Sequence, residues 1–112
     1  MTADELIQLI HKEASEDTVK NYQSVLQGGD QGLNPAWDLF KQVYSGVAPD
    51  KQELLWDFVR MVQSDSISSI LSILDNQTYP SIQKEDLKLM HGSEPLNGNL
   101  TDIYWEKEEE GW

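Results

Sequence analysis

Apolar residues recur at steps of three and four along most of this chain. That spacing predicts amphipathic helices packed on one another rather than a sheet. Thr2-Ala-Asp-Glu5 has the form of a capping box, with Thr2 as N-cap and Glu5 at the third helical position. Ala3, Leu6, Ile7, Ile10 and Ala14 then share one face. A second set, Val19, Tyr22, Val25 and Leu26, points roughly 120° away from the first at about 100° per residue. One straight helix would need burial on two sides, so a break is expected at Ser15-Glu-Asp-Thr18, a stretch rich in cap formers. Gly28-Gly29 ends the second helix, and Gly28 suits a left-handed C′ position.

Residues 28 to 34 read as a loop, and Asn34-Pro35 starts the next helix, because proline lacks a donor that the first turn cannot use. Trp37, Phe40, Tyr44 and Val47 follow on one face, with Gly46 near the end, and the three aromatics are expected in the core. Pro49 opens a further helix, with Asp50 and Glu53 favourable near its positive end. Leu55, Phe58, Val59 and Val62 are its expected core stripe. Ile67, Ile70, Leu71 and Leu74 form another stripe, displaced by about 100° if the helix is continuous. A bend or break is therefore expected at Ser64-Asp-Ser66, where serines compete for backbone hydrogen bonds.

Beyond Asn76 the pattern changes. Tyr79-Pro80 disfavours helix, Leu87-Lys-Leu89 alternates, and Asn97-Gly98 is a preferred two-residue hairpin turn. The ending LTDIYWEKEEEGW suits either a hairpin strand or a short helix with Thr101 as cap and Tyr104 and Trp105 inward. Four large apolar residues within six positions, Leu100, Ile103, Tyr104 and Trp105, predict a docked segment, with order ending near Glu108 and Trp112 frayed. The fold class expected is mainly α: an irregular bundle of four to five short helices with a small C-terminal β-hairpin or extended segment. Apolar stripes run from the first residues to position 105, with no repeat or low-complexity linker, so residues 1–112 are expected to form one domain.

The formal charge is −12, from 20 acids against 8 bases. Few bases are left for a phosphate backbone or an anionic bilayer, so neither nucleic acid nor membrane is an expected partner. There is no cysteine, hence no disulfide, thiol nucleophile or thiolate metal site. The start lacks a basic region and an apolar core of signal length, which makes the cytoplasm the expected compartment.

Motifs of chemistry are absent. Ser64, Ser66, Ser68, Ser69 and Ser72 crowd one region without a G-x-S-x-G elbow. His11 and His91 read as a rim and a turn residue, and no zinc, calcium or phosphate-loop motif occurs, so no cofactor is expected. The carboxylate pairs Glu53/Asp57 and Glu13/Asp17 lie one helical turn apart, as on any acidic helix. Trp56 lies off the expected stripe, on the side of Arg60, either beneath the Ile67–Leu74 segment or as a rim aromatic of the kind found at binding hot spots. The expected function is a non-enzymatic protein-interaction domain. In its concrete form it is an immunity- or antitoxin-type inhibitor of a basic partner. The partner-binding candidates are Trp56, Arg60, Glu106, Glu108, Glu109 and Glu110. The alternatives are an acidic nucleic-acid mimic and a small enzyme using a carboxylate pair.

Overall fold

A computed structural model of the chain describes residues 1–28, 35–78, 81 and 85–112. The expected start at Asn34-Pro35, the loop after Gly28 and the Tyr79-Pro80 interruption fall wholly or partly outside these residues. Among the described residues the fold is mainly α, with four helices and a two-stranded antiparallel hairpin near the C-terminus. The first helix comprises α1 (Ala3–Ile10), a π-helical segment (His11–Glu16) and α2 (Asp17–Leu26). There follow α3 (Ala36–Ser45), α4 (Pro49–Leu74), the strands β1 (Met90–His91) and β2 (Glu94–Pro95), and α5 (Leu100–Glu110).

Local signals behave as their chemistry requires at several ends. The Thr2 hydroxyl accepts from the Glu5 N–H at 3.1 Å, Gly28 takes φ of 96°, and Pro49 begins α4. The break expected at Ser15–Thr18 is instead the π segment. There the Asp17 N–H reaches the Lys12 carbonyl, five residues back. Side chains five apart become neighbours as a result: His11 with Glu16 at 3.1 Å and Lys12 with Asp17 at 2.8 Å. A wider turn rephases the helix without ending it. That is how the two apolar sets, which point apart in a uniform α-helix, are carried on one element: Ile7 is buried before the π segment and Val19 after it.

The interruption expected at Ser64–Ser66 does not occur, since α4 runs unbroken for 26 residues. The hydroxyl of Ser64, and that of Ser68 one turn on, are engaged by α5. Tyr104 donates to Ser64, Ser64 donates to Glu108, and the Trp105 indole N–H donates to Ser68. The apparent displacement of stripes came from choosing the wrong first stripe. Phe58 and Val62 are exposed, and the buried residues of α4 are Trp56, Ile67 and Leu71. Trp56 and Ile67 stand three turns apart, within about 20° of the same direction, so a straight helix serves both.

The core joins Ile7 of α1, Ile67 and Leu71 of α4, and Leu100 and Tyr104 of α5, with Leu6, Ile103 and Trp112 among the half-buried residues around it. A second, aromatic cluster lies at the other end of α4, where Phe40 and Tyr44 stack around Trp56 at centroid distances of 6.3 and 5.9 Å. Trp37, Phe40 and Tyr44 are half-buried, not core as expected, and α3 has no fully buried residue. Two clusters on one long helix make an open molecule. Its radius of gyration is 17.2 Å, against about 13 Å for a compact domain of this length, with extents of 48 × 33 × 24 Å.

The hairpin does not turn at Asn97-Gly98. It turns at Gly92-Ser93, and Asn97 ties the following segment down: its side chain donates to the Leu74 and Leu87 carbonyls and accepts from the Leu89 N–H. The ending is the docked helix α5. It extends past Glu108 to a Schellman close, in which Gly111 at φ 77° donates to the Glu108 carbonyl and Trp112 donates to that of Lys107. Trp112 is not frayed: its ring stacks on His11 at 3.6 Å and meets Tyr104 edge-on.

Candidate functional site

Helix α4 is apolar on two opposite sides. Trp56, Ile67 and Leu71 face inward, while Leu54, Phe58, Met61 and Val62 point roughly 160° away and are about half exposed. Phe58 is 55% exposed and Leu54 is 59%. On α3, Leu39 and Val43 are both 64% exposed, one turn apart and turned away from Phe40 and Tyr44. Scattered exposed leucines are normal on a soluble protein, but a helical stripe of large apolar residues is the signature of a contact surface. Asp50 and Asp57 run along one edge of the α4 stripe and Asp65 lies at its end, with Lys51 the base closest in angle. The sequence held this signal: Leu54, Phe58 and Met61 are spaced by four and three. It was missed because a helix with two apolar sides offers two stripes, and burial decides between them.

The residues expected to meet a partner are placed variously. Trp56 is 2% exposed, and its indole N–H donates to the Tyr44 hydroxyl at 3.2 Å. It is therefore neither a rim aromatic nor packed beneath Ile67–Leu74, because its cover comes from α3. Arg60 is exposed at a cleft it lines with His11, Ser15 and Trp112, and its guanidinium reaches Asp57 at 3.3 Å. Glu108 is half-buried and accepts from Ser64. Glu106, Glu109 and Glu110 are exposed on rigid helix. The structure does not bring Trp56, Arg60 and these glutamates onto one face.

The hydroxyls between α4 and α5 form a short chain, Tyr104 to Ser64 to Glu108, each link 3.1 Å. Burial pushes the Tyr104 hydroxyl up to about 12, aided by the Glu108 charge and opposed by the bond to Ser64. The folded state holds this proton more tightly than the unfolded chain. Its contribution to stability is thus complete below pH 10 and is lost as the pH climbs through about 12. Spectrophotometric titration should show a last tyrosinate step near pH 12 that Tyr104→Phe removes. A titration with no such step would contradict the buried relay.

Reactive arrangements among the other candidates are tied up locally. Lys12 holds the Asp17 carboxyl below the usual carboxylate range, and Lys107 does the same for Asp4 at 2.9 Å. Asp57 faces Arg60. His11 donates to Glu16 and lines an open cleft of about 580 Å³ with Lys12, Lys107, Glu110 and Trp112. His91 meets the N-terminal amine at 3.1 Å, so the two histidines have separate partners. Among the described residues, no group of three or more acidic or histidine side chains is placed to hold a metal ion, and no helix is long and apolar enough to cross a membrane. No family model, curated protein or solved structure matches this chain.

Proposed function

We propose that this chain is a non-enzymatic protein-interaction domain, and specifically an immunity- or antitoxin-type inhibitor that covers a basic partner protein. The observation that carries the reading is the exposed stripe of Leu54, Phe58, Met61 and Val62, opposite the buried side of the same helix. Burying such side chains is worth roughly 1.5–3 kcal/mol each, so leaving four in water on a helix held by other contacts favours a partner that covers them. The charge of −12 supports a basic partner, because opposite potentials steer encounter and raise the association rate. The acids at the end of α5 would contribute to that field from a fixed helix instead of a moving tail.

The test is capture from native lysate on the full chain and on Phe58→Glu, followed by rebinding of the captured protein in purified form. The expected result is a basic protein held by the wild type, weakened by ~10-fold or more in Phe58→Glu and by added salt. Equal retention by the two chains would contradict the proposal.

A further inference from the structure

We infer that the occupant of the α4 stripe is a basic amphipathic helix of the partner; this rests on the interaction reading above and adds the shape and charge of what binds. The stripe is narrow. Leu54, Phe58 and Met61 lie at steps of four and three along one line, with Val62 beside them, which is the pattern one helix presents to another. A broad flat partner would need about 800 Å² from this side. A single helix lying along α4 needs far less and matches the spacing of its side chains.

The charge selects among helices. Asp50 and Asp57 stand seven residues apart on one edge, with Asp57 also meeting Arg60 at 3.3 Å. Asp65 follows at the end of the stripe and Lys51 lies within it, so the carboxylates outnumber the bases along this face. A cationic helix would set its lysines or arginines against these carboxylates while its apolar side meets Phe58. An anionic helix would face them with like charge. A second copy of this chain would bring another −12 and the same aspartates to the contact, so charge opposes self-pairing along this face.

The experiment uses three synthetic 18-residue peptides with the full-length chain near physiological salt. The first carries leucines at helical a and d positions with lysine elsewhere. The second has the same leucines with glutamate elsewhere. The third has the composition of the first with the leucines scattered around the helix. Affinity is read by fluorescence anisotropy, and NMR shifts report the place of binding. The lysine peptide should bind at least ~10-fold tighter than either of the others, with shifts centred on Leu54, Phe58 and Met61, and Phe58→Glu should remove that margin. Glu94→Gln should leave it within ~3-fold, since that exposed carboxylate lies on the hairpin and not on α4.

Equal binding of the first and third peptides would mean attraction by charge alone and would overturn the inference. So would a wild-type dimer that Phe58→Glu dissolves, because the occupant would then be a second copy. If the lysine peptide fails while a captured protein still depends on Phe58, the interaction reading stands and the basic helix is wrong. If neither depends on Phe58, both fall.

Discussion

Replacing Asp75 by alanine should lower stability by ~3–5 kcal/mol, although the residue lies in no expected core stripe. Asp75 follows the last residue of α4 and is 7% exposed. One carboxylate oxygen accepts from the Gly98 and Leu100 N–H groups at 2.7 and 3.1 Å. The other accepts from the Thr101 N–H and hydroxyl at 2.8 and 2.9 Å. The Leu100 and Thr101 N–H groups are the first donors of α5, which have no partner inside their own helix. Asn99 occupies the local N-cap position and makes no side-chain cap. Asp75 therefore caps α5 from 25 residues away and places negative charge at its positive end. Alanine leaves buried N–H groups without acceptors, each costing about 1–3 kcal/mol. Asparagine keeps one oxygen, so Asp75→Asn should cost about half as much as alanine. Urea denaturation of the three chains checks the order. A cost for Asp75→Ala below ~1 kcal/mol would mean that α5 is held by its apolar residues alone.

How much of this was legible depends on how far the responsible contact reaches along the chain. Thr2 with Glu5, Gly28, and Pro49 at the start of α4 act within one turn, and their signals matched the structure. The docking of residues 100 to 105 was legible too, because large apolar residues packed into six positions have little reason to stay in water. It rests on Leu100, Ile103 and Tyr104, while Trp105, expected inward, stays 38% exposed. The extent of the docked segment was not, since the stack of Trp112 on His11 depends on the π segment being alongside. Asp75 was silent because local capping rules look three residues ahead, not twenty-five. Ser64 misled for the same reason. Its hydroxyl looked free to compete for its own backbone, and α5 engages it instead. The π segment was visible only as a conflict between two apolar sets, a conflict that a break or a wider turn resolves equally well on paper.

The harder case was α4. Its first half carries apolar residues on both sides, and sequence alone treats Phe58 and Trp56 as rivals for the core. The structure assigns Trp56 inward, against Tyr44 and Phe40, and Phe58 outward. Trp56→Ala should therefore cost ~3–5 kcal/mol, the usual range for a buried large aromatic, including the loss of its hydrogen bond to the Tyr44 hydroxyl. That corresponds to a fall in melting temperature of ~12–20 °C at ~4 °C per kcal/mol. Phe58→Glu removes a larger apolar side chain than many core substitutions do, yet it removes little packing. It adds one negative charge near Asp57 and Asp65, a cost of a few tenths of a kcal/mol on a helix surface. Its melting temperature should stay within ~4 °C of the wild type.

Thermal melting of Trp56→Ala and Phe58→Glu side by side tests most directly whether α4 has one side for the core and the other for a partner. The account predicts a large fall for the first and almost none for the second. A fall for Phe58→Glu as large as that for Trp56→Ala would show that the Leu54–Phe58–Met61 side is part of the folded core, and the proposed contact surface would not exist.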